Sequence, residues 1–357
     1  MKKQLRFVLT VPFLAIALLV GACSVSVGER ADFGSFTIMT WNVHNLFDGE
    51  DNGYEYTEFL QSSGWSVEKY LGRINTISDA ISSIVPLPDI IVFQEVENLN
   101  VLEDLALAIH SDFLWIHFAG NPGSAIGLGL ISRHPLLDVK AHSITINGDT
   151  SPRPILEARI QPEDSEETFV IFTCHWKSKL GGDVATESTR RASARVILRR
   201  IHELWEDEPE LGIIVAGDLN INYDDFYRHG ASIVCALLPD DPYCVILTAG
   251  VQKDFIVITR NIPPMPVHFS QETIVMYSPW MGELEKGTYY YRNNWETIDH
   301  FLVSYQFFNN SGWVYEKTVI LDIPPFANAN GMPIPYNVRT GFGISDHLPL
   351  LMTLNYK

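Results

Sequence analysis

The chain has 357 residues, of which 46% are hydrophobic and 19% are charged, and its formal net charge at pH 7 is -18. This composition is that of a globular protein with enough apolar residues for a large core. The negative charge argues against tight non-specific binding to a nucleic acid backbone, because such binding needs a basic face. The densest basic stretch, between Lys177 and Arg200, is interpreted as a solvated helix face, and a local basic groove is the alternative.

The N-terminus has the pattern of an export signal. Three basic residues among the first six precede an apolar run over residues 7–20. The run is shorter than the roughly 18 residues of a membrane-spanning helix and fits the core of a signal peptide. It ends in LVGAC, which is similar to a bacterial lipoprotein processing site with Cys23 as the lipidated residue. Ordinary cleavage with full secretion is the alternative.

This pattern predicts three segments. They are a signal peptide at 1–22, a lipid-anchored tether at 23–34 and a folded domain at 35–357. The predicted location is the bacterial cell envelope, with the chain attached to a membrane through the lipid on Cys23.

Short apolar runs rich in β-branched residues recur along the rest of the chain, and several of them alternate between apolar and polar residues. This pattern is typical of strands. The predicted strands cover residues 36–41, 89–94, 126–132, 155–160, 168–174, 212–217, 297–304 and 347–354.

Two segments have the periodicity of amphipathic helices. The first, residues 67–84, ends before Pro86 and has apolar residues at steps of three and four, namely Val67, Leu71, Ile74, Ile77, Ile81 and Ile84. The second is predicted at 183–206, with Ile197, Ile201 and Leu204 facing inward. Residues 240–290 are rich in proline and are interpreted as an insertion or long loops.

Three cysteines follow Cys23 in the chain. Cys235 and Cys244 flank a turn-forming stretch with two prolines, and a disulfide between them is one reading in an exported protein. Two unpaired thiols are the other reading. Cys174 lies within an apolar strand pattern and is interpreted as a small buried hydrophobe.

Polar residues follow four of the predicted strands at the point where each strand ends. Asn42 follows the first strand, Glu95 the second, His175 the strand at 168–174, and Asp218 with Asn220 the strand at 212–217. One such ending has no meaning, because every strand must leave its sheet. Four strands that end in acids, amides or imidazole predict a polar site at one rim of a sheet. Two later aspartate–histidine pairs, in TIDH and SDH, add further polar groups.

The chemistry of these side chains favours a metal-dependent hydrolase. Carboxylate and amide oxygens suit hard cations such as Mg²⁺ or Mn²⁺. The chain has no HExxH motif, no GxSxG motif and no phosphate-binding P-loop, which argues against a zinc protease, an α/β-hydrolase and a nucleotide-driven phosphotransferase. A metal and histidines that neutralise developing charge, with a carboxylate that activates water, fit the hydrolysis of a phosphate ester.

Seven short motifs occur in an order that resembles the endonuclease/exonuclease/phosphatase superfamily, which includes deoxyribonuclease I. They are TWNVHNLFD, VFQEVEN, LGLISRHP, TCHWKSK, AGDLN, IDHFLVS and SDHLPL. Each motif alone is weak, but seven in order are strong, and together they extend over about residues 36–356. The resemblance implies an α/β fold, a four-layered sandwich of two mostly antiparallel sheets flanked by helices, with the site at one rim.

The resemblance also implies roles for individual residues. Glu95 is expected to be the principal metal ligand, helped by Asn42, with Asp346 beside the metal. Asp218 is expected to orient or deprotonate the attacking water.

The remaining expected roles concern the phosphate. His347 is expected to contact the scissile phosphate and to be oriented by Asp299, for which a purely structural role is the alternative. Asn220 and His175 are expected to bind phosphate oxygens. Two cations, Arg153 and Lys177, are expected to help them, with ordinary loop cations as the alternative.

The first motif departs from the superfamily pattern. Many members have an acidic residue shortly after the first asparagine, whereas the nearby positions here are His44 and Asn45. The departure leaves open whether the site binds one or two ions and whether His44 is a ligand.

Two classes of function follow. The first is a metal-dependent phosphoesterase, acting as a monomer, whose substrate is a nucleic acid, a phospholipid headgroup or a small phosphoester. The second is a non-catalytic surface lipoprotein that uses the same fold for binding.

Overall fold

The structure of the protein is a computed structural model that describes residues 34–146, 148–151, 153–163, 165–261 and 273–357. The predictions for the signal peptide, for most of the tether and for lipidation of Cys23 lie outside the described residues. The unit from Gly34 to Lys357 is described below. None of its described helices is long and apolar enough to cross a membrane.

The described residues form strands and helices in the following order. The strands are β1 Ser35–Leu46, β2 Ile90–Val96, β3 Trp115–Ala119, β4 Gly127–Ser132, β5 Leu136–His142, β6 Thr145–Ile146, β7 Asp149–Thr150, β8 Ile155–Ile160, β9 Phe169–His175, β10 Gly212–Asp218, β11 Leu237–Pro239, β12 Ile256–Thr259, β13 Val275–Tyr277, β14 Tyr289–Tyr291, β15 Asn294–Glu296, β16 Asp299–Val303, β17 Trp313–Ile320 and β18 Leu350–Tyr356. The α-helices are α1 Val67–Ser82, α2 Leu99–Ile109, α3 Asp183–Asp207, α4 Asp225–Arg228 and α5 Pro242–Leu247, and short 3₁₀ turns lie at Thr57–Phe59, Gln61–Ser63, Pro279–Met281 and Tyr305–Phe308.

Two large sheets form the centre of the fold. The first sheet has the strand order β17-β18-β1-β2-β4-β3, and the second has the order β11-β12-β13-β16-β10-β9-β8-β5. Most neighbouring strands are antiparallel. The parallel pairs are β1 with β2 in the first sheet, and β9 with β10, β11 with β12 and β12 with β13 in the second. The carboxyl ends of β1 and β2 therefore lie together in the first sheet, and those of β9 and β10 lie together in the second.

The core divides into three layers of buried side chains. One layer, which includes Ile38, Val92 and Ile214, lies between the two sheets. A second lies between the first sheet and helices α1 and α2, and the third contains the buried face of α3 and residues of the second sheet. Helix, sheet, sheet and helix thus form four layers, and the predicted α/β sandwich is confirmed.

Helix α1 is rotated relative to its predicted buried face. Ile74, Ile77 and Ile81 are buried as predicted, but Val67 and Leu71 are about half exposed. Tyr70 and Arg73 are buried in their place. A charged residue is normally expected to face the solvent, so the apolar periodicity did not predict the burial of Arg73. Its contacts at the candidate active site, described below, explain why it is buried.

The region interpreted as loops contributes to the second sheet. Strands β12 and β13 lie within this region, and with β11, which ends just before it, they pair in parallel and extend that sheet beyond β16. Each has only three or four residues, which is too short for a two-residue alternation to be recognised in the sequence.

The basic stretch of α3 is largely neutralised by acidic partners. Arg190 is fully buried and pairs with Asp183 and Glu187. Arg191 and Arg195 both pair with Asp254, and Arg200 pairs with Glu157. These ion pairs favour a structural role for the stretch over a groove for nucleic acid.

Candidate active site

Polar residues from both sheets meet at one rim of the sandwich. Asp218, the last residue of β10, lies directly opposite His175 of β9 on one side and Asp299 of β16 on the other. Asn42 and Glu95 belong to the adjacent parallel strands β1 and β2 of the other sheet. Adjacent parallel strands end at the same edge, and so the predicted gathering of strand-end residues occurs in both sheets at once.

Direct hydrogen bonds join the two halves of the site. The Asn42 side-chain amide donates to Glu95 Oε1 and to Asp218 Oδ2, at 3.1 Å each. The Ser345 hydroxyl donates to the Asn42 carbonyl at 2.6 Å, and the Trp41 indole donates to the His347 carbonyl at 3.0 Å. Asn42 therefore bridges the carboxylates of Glu95 and Asp218.

His347 and Asp299 form a buried pair. His347 Nδ1 lies 2.8 Å from Asp299 Oδ2, and the Thr288 hydroxyl donates to the same oxygen at 2.6 Å. Burial alone would lower the pKa of His347, but the charge and hydrogen bond of Asp299 outweigh it and raise this pKa to about 10. Hence His347 carries its proton at neutral pH, and its Nε2 side is left to a substrate.

Asp218 is buried beside a cation, His347, and a second carboxylate, Asp299. Burial, followed by the charge of Asp299, raises the pKa of Asp218 to about 7. The backbone N–H of Asn220 donates to Asp218 Oδ1 at 2.9 Å, which holds the carboxylate in place. A carboxyl group with a pKa near neutrality is suited to accept a proton from water.

His175 lies beside the Asp218 carboxylate, and Arg153 and Asn220 meet at the neighbouring Trp176 carbonyl. His175 Nε2 lies 3.5 Å from Asp218 Oδ2 and 3.7 Å from Glu95 Oε1. Burial lowers the pKa of His175 well below its ordinary value, so the imidazole is neutral. Arg153 and the Asn220 amide both donate to the Trp176 carbonyl, at 2.7 and 3.1 Å. Each has further N–H groups available for an anion.

The backbone adopts unusual conformations at the rim. His44, Asn45, Glu95 and Asn220 all have φ between +51° and +66°, a region that residues other than glycine rarely adopt. Such conformations cluster at functional sites, where the surrounding fold compensates for them. At Gly217 a Cβ would lie 2.1 Å from the Cys174 carbonyl oxygen, so the β9–β10 pair requires glycine immediately before Asp218.

Arg73 holds the strained turn after β1, and the sequence reasoning missed it. Its guanidinium donates to the carbonyls of Val43, His44 and Asn45 and lies 4.1 Å from the ring centre of Tyr336. Burial lowers the pKa of Arg73 to about 10, so it remains a cation at neutral pH. The signal in the sequence was an arginine within the apolar face of α1.

Replacing Arg73 by Met is expected to destabilise the protein by about 3 kcal/mol, because three buried or partly buried carbonyls lose a charged donor. Activity should fall with it, since the turn orients Asn42. Lys69→Met on the same helix is the matched control, since Lys69 donates to a single exposed carbonyl, that of Gly64. Chemical denaturation measures the stability of both variants. Equal stability of the two variants would contradict a supporting role for Arg73.

Other predicted residues lie at the edge of the cluster or away from it. Asp346 Oδ1 is 3.7 Å from His44 Nδ1, which is too long for a hydrogen bond, and burial lowers the pKa of His44. Lys177 is exposed, and among the described residues no contact joins its ammonium to the cluster. Cys174, Cys235 and Cys244 are free buried thiols.

The donor set fits a divalent cation. Carboxylates from Glu95, Asp218 and Asp299 converge at the rim, where His347 is their cationic neighbour, and Asp299 Oδ1 is buried without a partner. The ligand atoms of Asp218, Asp299 and His347 lie within 4.8 Å of one another. His347 is protonated and bonded to Asp299, so it is a poor ligand. The oxygen donors of the cluster match the preference of Mg²⁺ and Mn²⁺, and the ligand set of Asn42, Glu95 and Asp346 stays a prediction.

Comparison with known proteins agrees with this geometry. A profile described as the endonuclease/exonuclease/phosphatase family matches residues 37–229, more than half of the chain. No curated protein sequence matches the chain.

Solved structures of the same fold align with 90% of the chain. They include an endonuclease/exonuclease/phosphatase family protein from Bacteroides thetaiotaomicron, at 16% identity over 95% of that chain with a TM-score of 0.52. The catalytic domain of human nocturnin, with bound sulfate, aligns at 16% identity over 95% of that chain with a TM-score of 0.54. TDP2 from Caenorhabditis elegans aligns at 13% identity over 74% of that chain with a TM-score of 0.52. At these identities the likeness shows a shared fold.

Proposed function

The chain belongs to the endonuclease/exonuclease/phosphatase family, and from that premise we propose that it hydrolyses a phosphate ester with the help of a divalent cation. The observation that carries the proposal is the position of Asp218. It lies within reach of the Asn42 amide from the opposite sheet and beside His175 and Asp299 of its own sheet. A buried carboxylate of raised pKa, surrounded by donors, matches what the activation of water requires.

The proposed reaction uses the chain's own groups in three ways. Asp218 orients the attacking water and accepts its proton. Asn220, His175 and Arg153 donate hydrogen bonds to phosphate oxygens. His347, held by Asp299, donates from its Nε2 side to the phosphate, where negative charge develops in the transition state. Such preorganised donors lower the barrier because they need no rearrangement during the reaction.

A metal ion completes this proposal. Glu95, with Asn42 and Asp346, is proposed to hold Mg²⁺ or Mn²⁺. When bound, the cation supplies positive charge that neutralises the phosphate and its developing charge. The same cation would offset the charges of Asp299 and Glu95, which together with burial, the larger cause, raise the pKa of Asp218.

The test is turnover of bis-p-nitrophenyl phosphate by the purified chain with Mg²⁺ or Mn²⁺, measured with and without EDTA. Release of p-nitrophenolate that EDTA abolishes, and that added cation restores, is expected. Absence of turnover with either cation, for this ester and for a panel of nucleic acid, lipid and small phosphoesters, would favour the non-catalytic lipoprotein instead.

We further propose that the chain is exported and attached to the bacterial cell envelope as a monomer through a lipid on Cys23. The support is the basic start, the apolar run and the small residues before Cys23. Replacing Cys23 by Ser is expected to move the protein from the membrane fraction to the soluble fraction, because a protein without its lipid lacks that anchor. Cell fractionation measures this. Equal membrane association of both forms, or a soluble wild type, would refute the anchor.

A further inference from the structure

A short hairpin rich in aromatic residues adjoins the site. Strands β14 and β15 are joined by Arg292 and Asn293, whose φ angles are +47° and +66°. Positive φ at both turn residues matches the twist of the two strands in a tight hairpin. The hairpin therefore presents its side chains on a defined backbone rather than on a loop.

The two faces of the hairpin differ. Side chains alternate along a strand, so Tyr289 and Tyr291 share one face, where their rings are nearly parallel at 16° with centres 6.1 Å apart. Tyr290 belongs to the other face and packs edge-on against Trp295 at 5.0 Å. The pair Tyr289 and Tyr291 is named the tyrosine platform below.

The tyrosine platform begins at His347. The ring centres of Tyr289 and His347 are 4.7 Å apart with an angle of 30° between the planes. The backbones also meet, since Tyr289 and His347 form an isolated β-bridge and the Leu348 N–H donates to the Thr288 carbonyl at 2.8 Å. Tyr289 thus contacts both Tyr291 and His347. A ring stacked on Tyr291 would be one side chain away from His347, which is proposed to contact the phosphate.

The outer part of the tyrosine platform is accessible. Tyr289 is partly buried against the rim, whereas 48% of Tyr291 is exposed. The Arg292 guanidinium lies 5.1 Å from the ring centre of Tyr291. Planar tyrosine rings beside a guanidinium are the kind of surface on which nucleobases stack, since every base has a π-face.

We propose that the tyrosine platform stacks the nucleobase of a nucleotide ester whose phosphate lies at His347. This rests on the proposed function and names its substrate class. A lipid surface is a poorer match, because the turn of the hairpin consists of the polar residues Arg292, Asn293 and Asn294. A long strand of nucleic acid is also a poorer match, because the net charge is -18 and the dense basic stretch is neutralised by ion pairs. A short ligand with one unpaired base remains.

The experiment compares two esters that differ only in the base. One is thymidine 5′-(p-nitrophenyl phosphate), and the other is the same deoxyribose ester without thymine, so that both release p-nitrophenolate. Tyr291→Ala is expected to raise KM about tenfold for the thymidine ester, in the range measured for one base stacked on an aromatic ring. It should leave the ester without thymine within twofold. Tyr291→Phe should behave as wild type, as should Tyr290→Ala, the matched control on the opposite face.

A binding measurement separates this proposal from the proposed function. Thymidine 5′-monophosphate and deoxyribose 5-phosphate are titrated into the Asp218→Asn chain with Mg²⁺, with and without Tyr291→Ala. Tighter binding of the nucleotide that Tyr291→Ala abolishes would support the tyrosine platform even if neither ester were hydrolysed. Hydrolysis without any preference for the thymidine ester would leave the phosphoesterase intact and overturn the tyrosine platform.

Two further outcomes would also overturn it. Equal losses on both esters would mean that Tyr291 positions the rim instead of contacting a base. Weaker sedimentation of Tyr291→Ala than of wild type with phosphatidylcholine vesicles, combined with an unchanged KM for the thymidine ester, would assign the hairpin to a lipid surface.

Discussion

Replacing Asp218 by Asn is expected to lower kcat/KM by about 10³-fold, because the variant keeps the shape of the side chain but loses the charge that orients water and accepts its proton. The fold should not suffer. The pKa of Asp218 is raised to about 7 from an ordinary value of 3.8, so its contribution to stability is present below pH 3.8 and is lost as the pH rises through 7. At pH 8 in EDTA the variant should be at least as stable as wild type.

The double variant tests whether Asp218 acts together with His347. His347→Ala removes a donor to the phosphate and is expected to slow the reaction by about 10²–10³-fold. Residues that act as a unit are not additive, so Asp218→Asn/His347→Ala should be little slower than the worse single variant. Additive losses would indicate independent roles, and near-normal turnover in Asp218→Asn would overturn its assignment.

Asp254→Asn is the matched control for these measurements. Asp254 is a buried carboxylate like Asp218, but its partners are Arg191 and Arg195 of α3. Its loss should lower the thermal midpoint while kcat/KM stays within twofold. A lower kcat/KM without a loss of stability in Asp218→Asn, and a lower thermal midpoint with normal kcat/KM in Asp254→Asn, would distinguish a catalytic carboxylate from a structural one.

Replacing Glu95 by Gln is expected to remove the benefit of the divalent cation and to lower kcat/KM by about 10³-fold at saturating Mg²⁺, since a neutral amide is a weak ligand for a hard cation. Rates are measured over a range of Mg²⁺ concentrations and in EDTA. Wild type and variant should differ strongly with Mg²⁺ and little without it.

Glu97→Gln provides the control two residues further along the chain. Glu97 accepts the backbone N–H of Asp48, and burial raises its pKa to about 7. This change should leave the Mg²⁺ dependence as in wild type. An unchanged cation dependence in Glu95→Gln would refute the metal assignment.

The polar ends of the strands could be predicted from the sequence because strand termini are local features. Asn42, Glu95, His175 and Asp218 each follow an apolar run, and the structure brings all four to one rim. What the sequence did not reveal is that Asn42 links Glu95 to Asp218, since that contact depends on how the two sheets pack.

The supporting residues could not be predicted for the same reason. Thr288 bonds Asp299 only because the hairpin folds back beside His347. Arg73 contacts three carbonyls of a turn that is distant in sequence, and its place on the apolar face of α1 does not reveal that target. Tyr289 stands in a run of three tyrosines, but its contact with the His347 ring depends on tertiary structure.

The last strand of the chain completes the first sheet, and this order determines when the proposed site is complete. β18 pairs with β1, the first strand of the described fold, and the segment just before β18 supplies Ser345 and His347 to the rim. A ribosome releases the chain from its N-terminus, so Asp218 and Asp299 of the second sheet emerge before His347 does. The nascent protein would carry Asp218 and Asp299 without their cationic neighbour. Under the proposed chemistry, hydrolysis is withheld until the last strand has closed the first sheet.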